Sequence, residues 1–481
     1  MARDMDTGTP DTVTLDTGTL DTGNWAPVRE ERDDYTLPIK GELPRELSGT
    51  LFRNGPNPQF DTPDSHWFVG DGMLHAFTLE GGKASYRNRW VRTPKFLAEH
   101  DAGRAIWSGT GFGGQKLRDA PPTVVTDAGV ANTNIIWHAG KLLALEEAHL
   151  PTEIDPKTLD AKGYVDYARG IAGPVTAHPK IDPVTGELIF FSYNATGPFS
   201  KGMTYGAIDA SGVVNRFERF DAPYSSMVHD FIVTANYVLF PILPLTGSMD
   251  RAMSGRPAYM WEPDKGAYVG VMKRGGSAKD IRWFRGDACY VFHTMNAWEE
   301  GDRIVADVMQ REAPVLFPAA DGKPIAPEKQ IARLARWTFN MADGSDTFTR
   351  VYLDDLQAEF PRIDDRRAGL VNQHSWFAAA TERGLGGAFN SIAHVDNTTG
   401  RRKLYQLANG DATSEPVFVP RAADSAEGDG WLLATVWRAA ENRSDLAVFN
   451  ATEVDRGPVA TVELAGRVPF GLHGNWVPAA A

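Results

Sequence analysis

The sequence predicts an all-β protein, on three observations. Short apolar or alternating runs recur from about residue 35 onward, and turn-forming residues separate them. The protein has 47 Gly and 31 Pro, which supply the turns of such a fold. Helical periodicity is convincing chiefly over residues 94–107. The clearest predicted strands are KLLALEE at 141–147, ELIFFSYN at 187–194, YVLFPILPL at 237–245, ACYVFHTM at 288–295 and GWLLATVWR at 430–438.

The N-terminal residues differ from the rest of the sequence. Residues 5–24 repeat Asp-Thr-Gly three times and contain little that could be buried. We therefore expect a mobile tail over 1–24 and a single domain over 25–481. Aspartic proteases also carry Asp-Thr-Gly, but the apolar strands that surround it there are missing here.

Two predicted hairpins share an Asp-Pro-x-Thr turn. They are IDPKTLD at 154–160 and IDPVTGELIF at 181–190. Repeated hairpin units are typical of a propeller, in which radial repetition leaves few exposed sheet edges. No strict period emerges, so the residues alone leave the all-β architecture open.

Composition excludes several classes of protein. The formal net charge of −13 argues against nucleic acid as a partner, because phosphate binding needs a basic face. Cys289 is the single cysteine, which excludes an internal disulfide and a thiolate metal cluster and favours a reducing compartment. The first 25 residues lack the apolar region of a signal peptide, and no stretch approaches 18 apolar residues. We expect a cytoplasmic protein.

Four of the eleven histidines lie in or beside strand-like runs: His178, His229, His293 and His473. Their wide spacing is unlike that of a metal site on one helix or knuckle. A propeller can bring one residue from each of several blades to its axis. Taken singly, each histidine is explained as well by a hydrogen-bonded core or turn position.

Ten blocks of the sequence resemble the carotenoid cleavage oxygenase family, in the family's own order from about Gly49 to Trp476. The resemblance implies a seven-bladed β-propeller with a helical and loop cap over the iron-bearing face. It also implies a non-haem Fe(II) centre and cleavage of an alkene by O₂ into two carbonyl products. The blocks are LFRNGPNPQF (51–60), HWFVGDGMLHAF (66–77), NTNIIWHAGKLLALEE (132–147), TAHPKIDPVTGEL (176–188), MVHDFIVT (227–234), VFHTMNAWEEGD (291–302), EFPRID (359–364), EPVFVPR (415–421), EGDGWLLATV (427–436) and GLHGNW (471–476).

The resemblance assigns roles to eight residues. The four histidines above match the iron ligands, and neutral imidazoles suit Fe(II). Glu147, Glu359 and Glu415 match carboxylates that hold the second ring nitrogen of such ligands, although Glu146 could shift the first assignment by one residue. Thr133 matches a threonine whose methyl group projects toward an open iron position.

The implied substrate is a hydrophobic alkene held in a long tunnel beside the metal. Aromatic residues near the ligand blocks and in the cap are the candidate lining: Phe60, Phe96, Trp107, Phe112 and Phe292. Relatives that act on 4-hydroxystilbenes commonly place a lysine immediately before the glutamate at 147, with a tyrosine in the preceding segment. Here Glu146 occupies that position and residues 101–130 contain no tyrosine. A carboxylate could accept a phenol hydrogen bond but could not stabilise a phenolate. We therefore expect a carotenoid or apocarotenoid substrate, with aryl alkenes such as stilbenes or isoeugenol as the alternative.

Three further alternatives stay open at this stage. A metal-free propeller could serve only as a binding platform, since a fold does not by itself imply chemistry. The same iron centre could isomerise without cutting. The 94–107 segment could present Phe96, Leu97, Ile106 and Trp107 to a membrane surface, or could pack on the propeller as a cap helix. No protein partner is implied.

Overall fold

Seven β-sheets form the blades of a propeller, which confirms the predicted fold class. The computed structural model describes residues 22–61, 66–108, 116–168, 170–171, 173–381, 388–408 and 410–479. Strands and blades are numbered in sequence order. Every run singled out from the sequence as a strand lies on one, including the KLLALEE run on Lys141–Leu145.

The strands fill the blades in sequence order. Two short strands come first, β1 Arg32–Asp34 and β2 Ile39–Gly41. Blade 1 contains β3 Gly49–Pro56, β4 Gly72–Glu80 and β5 Lys83–Trp90; blade 2 contains β6 Asn134–His138, β7 Lys141–Leu145, β8 Thr152–Ile154 and β9 Ala161–Tyr164; blade 3 contains β10 Lys180–Ile181, β11 Leu188–Ser192, β12 Gly202–Ile208 and β13 Val214–Asp221.

The fourth blade is interrupted by a separate hairpin. Blade 4 starts with β14 Ile232–Val233 and β15 Tyr237–Ile242, continues after the hairpin of β16 Leu245–Gly247 and β17 Tyr259–Trp261, and ends with β18 Ala267–Lys273 and β19 Arg282–Gly286. Blade 5 contains β20 Tyr290–Glu300, β21 Arg303–Arg311, β22 Arg333–Asn340 and β23 Thr349–Tyr352; blade 6 contains β24 Gln357–Ile363, β25 His374–Ala380, β26 Ser391–Asp396 and β27 Arg401–Gln406; blade 7 contains β28 Ala412–Thr413, β29 Val417–Pro420, β30 Gly430–Arg438, β31 Arg443–Asn450 and β32 Ala460–Glu463; the last strand is β33 Gly474–Pro478.

The last described strand, β33, and the second strand, β2, close the ring. β33 pairs antiparallel with β3 and becomes the inner strand of blade 1, with Leu51 opposite Trp476. β2 pairs with β32 and adds the outer strand of blade 7. Because each terminal segment completes a sheet built mainly from the other, the first and last blades are joined by backbone hydrogen bonds.

Helices are few and short in the part of the sequence that the structure describes. They are α1 Pro94–Ala102 and α2 Met249–Met253, with 3₁₀ turns at Gly23–Trp25, Trp67–Val69, Pro263–Lys265, Ala278–Asp280, Pro327–Gln330, Asp365–Arg367 and Val454–Arg456. The Thr93 hydroxyl group caps α1, and Gly103 ends it in the left-handed conformation with φ 67°. The helix is therefore shorter than the predicted 94–107. No helix among the described residues combines the length and the apolar character that a membrane span requires.

The 94–107 segment packs onto the propeller. Phe96, Ile106 and Trp107 are buried, and only Leu97 of the four residues considered for a membrane surface is exposed. Lys95 binds Asp71 at 2.8 Å and Glu99 at 2.7 Å, which ties α1 to blade 1. The idea that this segment offers all four apolar side chains to lipid is wrong.

The two Asp-Pro-x-Thr turns occupy different positions in their blades. The first joins β8 to β9, the third and fourth strands of blade 2, whereas the second joins β10 to β11 at the start of blade 3. They confirm hairpins but do not mark a blade repeat. In both, the aspartate carboxylate accepts backbone N–H groups of the turn, which explains the shared sequence.

Adjacent blades pack through large apolar side chains. Trp376 of blade 6 stacks on Phe418 of blade 7 at 4.7 Å between ring centroids, and its indole N–H donates to the carbonyl of Ala451 at 2.7 Å. Burial of rings of this size between sheets makes a large contribution to stability.

Closing the ring leaves little space beside β33. A Cβ atom on Gly474 would lie 2.5 Å from the carbonyl oxygen of Phe52. We expect Gly474→Ala to destabilise the protein by about 1–3 kcal/mol, because strand pairing must shift to admit the methyl group. Thermal unfolding followed by circular dichroism measures the effect. The matched control is Gly275→Ala, since a Cβ atom there meets nothing within 4 Å. Equal melting temperatures for the two variants would refute the close packing of β33.

Candidate metal centre

The inner strand of each blade lies nearest the axis, and one buried polar residue lies near the start of each of these seven strands. Blade 1 supplies His473, blade 2 Thr133, blade 3 His178, blade 4 His229, blade 5 His293, blade 6 Glu359 and blade 7 Glu415. All seven are buried. These seven residues are far apart in the sequence because the remaining strands of a blade separate each one from the next.

The four histidines form one cluster. Their metal-binding atoms all lie within 4.8 Å of one another. The Nε2 atom of His229 is 2.9 Å from that of His178 and 3.2 Å from that of His293, and the Nε2 atoms of His293 and His473 are 3.1 Å apart. The structure therefore brings together the four residues singled out from the sequence.

Carboxylates hold the outer nitrogen of three rings. Nδ1 of His293 is 2.6 Å from Glu359, and Nδ1 of His473 is 2.9 Å from Glu415. Nδ1 of His229 pairs with Glu147. Among the described residues, no carboxylate is seen to pair with His178. All three glutamates named from the sequence therefore contact the predicted histidines, and the glutamate that pairs with His229 is Glu147 and not Glu146.

This arrangement determines where the protons lie. An ionised carboxylate can only accept, so Nδ1 of these three rings carries the hydrogen, and Nε2 of a neutral ring then carries a lone pair. Three lone pairs thus face one another at distances at which neutral rings cannot all form hydrogen bonds. A cation relieves this repulsion, and the donor set of neutral imidazoles suits a divalent transition metal.

The charges of the surrounding groups agree with this assignment. Burial raises the pKa of Glu359, but His293 and Arg311 outweigh burial and lower that pKa to about 2. Glu415 behaves in the same way, with a pKa of about 2, because His473 and Arg362 lie beside it. Both carboxylates are therefore ionised at neutral pH.

The imidazoles respond to burial in two ways. Burial lowers the pKa of His473 to about 4, although Glu415 opposes it, and holds the pKa of His178 well below its usual range. Burial also disfavours the charged form of His229, but Glu147 outweighs burial and raises its pKa. A bound cation would compete with that proton, since metal ligation requires a neutral ring.

Two phenylalanines flank the cluster. Phe292, predicted as a lining residue, lies 5.3 Å from His229 between ring centroids. Phe360 lies 5.3 Å from His293 and 5.5 Å from His473. Phe360 has φ 55°, in the left-handed region that bulky residues avoid, and it occupies an irregularity in the pairing of β24 with β25. Phe360 could not be predicted from the sequence, because nothing in the motif EFPRID indicates its backbone conformation.

Aromatic packing continues outward from Phe360. Phe470 is 6.5 Å from Phe360, and Trp25 lies over Phe470 at 4.1 Å. Trp67 completes this group, 5.0 Å from Trp25. The segment that begins at Trp25 is thus part of the aromatic surroundings of the centre.

The other predicted substrate contacts are distributed differently. Phe96 packs against Trp90 and His100, and Trp107 lies beneath the Lys116 ammonium group. Phe60 is partly exposed, and Phe112 lies outside the described residues. A role in binding substrate stays a prediction for these four residues.

Glu146 and Thr133 both form hydrogen bonds within the same loop, residues 130–133. Glu146 accepts the backbone N–H groups of Val130 and Ala131 and lies 3.0 Å from Nδ1 of His149. The Thr133 hydroxyl donates to Asn132 at 3.0 Å, and the Thr133 carbonyl accepts the backbone N–H of His473. Glu146 thus supports the segment that carries Thr133, while its neighbour Glu147 binds His229.

Two supporting groups were not assigned these partners from the sequence. The Tyr193 hydroxyl donates to Glu147, whose other oxygen pairs with His229. Asp230 accepts the Lys180 ammonium group at 2.8 Å and the Thr294 hydroxyl at 2.7 Å, which joins blades 3, 4 and 5 behind the histidines. Asp230 directly follows His229 in the sequence, whereas Tyr193 is far from all four histidines.

A seven-bladed propeller with four imidazoles on its axis, three of them held by glutamates, defines the class of this protein. Residues 25–478 match the family model described as retinal pigment epithelial membrane protein. The sequence is 40% identical over 463 residues to isoeugenol monooxygenase from Pseudomonas nitroreducens, covering 94% of this protein and 96% of that one. It is 34% identical to carotenoid 9,10(9',10')-cleavage dioxygenase 1 from Arabidopsis thaliana, covering 94% and 89%.

Solved structures agree with the sequence comparisons. The lignostilbene dioxygenase of Pseudomonas brassicacearum superposes with a TM-score of 0.90 at 35% identity, covering 96% of this protein and 98% of that one. The protein belongs to the carotenoid cleavage oxygenase family, to which the retinal pigment epithelial membrane protein model also belongs, and it is an oxygenase of that family.

The carboxylates can be tested separately from the histidines. We expect Glu359→Gln to weaken metal binding by about 10–100-fold, because an amide cannot hold Nδ1–H of His293 as a carboxylate does. Competitive titration with a chromogenic chelator gives the affinity. Glu80→Gln, on an exposed strand end, is the control. Unchanged affinity in Glu359→Gln would show that the carboxylate does not orient a ligand.

Proposed function

We propose that this protein is an Fe(II)-dependent oxygenase that cleaves the alkene bond of an aryl alkene with O₂ into two carbonyl compounds. His178, His229, His293 and His473 would hold the iron. The observation that carries the proposal is the convergence of four buried Nε2 atoms beside the rings of Phe292 and Phe360. The reaction balances, since each alkene carbon gains one oxygen atom of O₂.

The protein has two tasks in this reaction. Bound Fe(II) would supply the oxygen chemistry, which amino-acid side chains cannot perform. The aromatic rings on both sides of the histidines position a flat, apolar alkene and exclude water. Burial of the histidines, of Glu359 and of Glu415 keeps the site rigid and dry.

Substrate choice is supported by relatives of both kinds. Similarity to isoeugenol monooxygenase, at 40% identity, favours an aryl alkene over the carotenoid expected from the sequence. A carotenoid or apocarotenoid is the second candidate. What favours it is Glu146, which provides no cation for a phenolate and whose carboxylate already binds the Val130 and Ala131 backbone.

One assay separates these substrates. Iron-loaded protein is supplied with ¹⁸O₂ and either isoeugenol, 4-hydroxystilbene or an apocarotenal, and the product masses locate the broken bond. We expect labelled aldehydes from isoeugenol. Cleavage of the apocarotenal alone would select the second candidate, and isomerised product without label would replace cleavage by isomerisation.

The ligand assignment gives a direct prediction. His293→Ala should lose iron and turnover together, because one of the four donor rings is removed and Glu359 loses the ring that it holds. Iron content by plasma emission spectroscopy and aldehyde formation are the measurements. His100→Ala, at an exposed helix position, is the control. Full activity in His293→Ala would disprove the assignment. If the wild-type protein neither binds iron nor cleaves any alkene, the alternative of a propeller that only binds a partner would replace the enzyme proposal.

Thr133 enters the proposal through its methyl group. Its hydroxyl is already hydrogen-bonded to Asn132, so Thr133→Ser removes the methyl group and keeps that bond. We expect more O₂ to be consumed per alkene cleaved, because the site then admits water where the methyl group stood. An oxygen electrode with product quantification measures the ratio. A ratio equal to that of the wild type would remove Thr133 from the proposed machinery.

A further inference from the structure

Tyr290 has a buried hydroxyl group without a hydrogen-bond partner among the described residues. It is the first residue of β20, three positions before His293, and is 1% exposed. A buried hydroxyl without a partner is costly and calls for an explanation. Two partly buried tyrosines of this region are paired: Tyr193 donates to Glu147, and Tyr224 donates to backbone carbonyls.

A second unpaired donor lies opposite Tyr290. Arg311 is its direct cross-strand partner on β21, and the Arg311 Nε atom is also buried without a partner among the residues described. The Nη2 atom of Arg311 donates to Glu359 and Nη1 to the carbonyl of Gln330, so the guanidinium group is fixed while Nε–H is left over. Directly opposite residues of an antiparallel pair have neighbouring side chains.

Both donors adjoin the ring that flanks the metal centre. Tyr290 lies 4.8 Å from Phe292 between ring centroids, and the Arg311 guanidinium carbon lies 5.2 Å from the same ring. Phe292 in turn contacts His229 and faces Phe68. The unpaired donors are therefore one aromatic ring away from the histidines.

The nearby acceptors are already engaged. Glu147 binds His229 and Tyr193, and Glu359 binds His293 and Arg311. Two donors without an acceptor, one of them on a cation, suit an oxygen atom that brings two lone pairs. A phenol oxygen is such an atom, and a guanidinium group also tolerates a phenolate.

We propose that Tyr290 and Arg311 bind the phenol oxygen of the aryl alkene, which places the alkene beside Phe292 at the histidines. This inference rests on the proposed function and specifies its substrate as an alkene with an oxygen on the ring. The Arg311 guanidinium group provides the cation that Glu146 does not supply.

The test compares three ligands in the iron-loaded, full-length protein under nitrogen, by calorimetric titration. The ligands are isoeugenol, its methyl ether and 1-propenylbenzene, which lacks ring oxygens. We expect Tyr290→Phe to weaken isoeugenol binding by about three- to tenfold, the usual loss for one hydrogen bond, and to leave 1-propenylbenzene binding unchanged. Tyr224→Phe is the matched control and should change neither affinity.

Each outcome decides one claim. Equal isoeugenol affinity in Tyr290→Phe and wild type, or an equal loss for 1-propenylbenzene, would overturn the inference while leaving alkene cleavage intact. Absence of isoeugenol cleavage by the wild type in air would overturn the proposed function itself. The wild type provides a check that needs no variant: the methyl ether keeps an acceptor oxygen and should bind more tightly than 1-propenylbenzene, and equal affinities would count against the site.

Discussion

Repulsion between imidazole lone pairs is the constraint on which this structure depends. Carboxylates fix the protons of three rings on Nδ1, so three Nε2 lone pairs meet where neutral rings cannot satisfy one another. A cation is the simplest partner for them. The glutamates that create the repulsion also fix the orientation of the donors, which is how a site is prepared for a metal before the metal arrives.

The propeller fold holds the histidines close together despite this repulsion. One residue of each blade lies near the axis, close to the start of the inner strand. Backbone pairing with the rest of the sheet holds that inner strand in place. β33 begins immediately after His473, so the strand that closes the ring also positions a histidine. Loss of ring closure and loss of the centre are thus coupled, because displacement of β33 would also displace His473.

The sequence predicted the centre better than its surroundings. Four histidines, three glutamates and Thr133 stood in recognisable blocks, and the structure places the histidines and glutamates in contact. Three features could not be predicted from the residues. The positive φ of Phe360 depends on how β24 pairs with β25, and the pairing of Tyr290 with Arg311 depends on strand register. The end of α1 at Gly103 shortened the predicted helix, because one glycine in a helical pattern marks an end only when its backbone turns left-handed.

X-ray absorption at the iron K edge of the iron-loaded protein tests the central claim most directly. The account predicts one iron per protein molecule, with a first shell of nitrogen and oxygen atoms and the outer-shell scattering of four imidazole rings. Fewer imidazoles, a sulfur ligand, or iron bound without a fixed stoichiometry would contradict the claim that the four axial histidines form a single metal site.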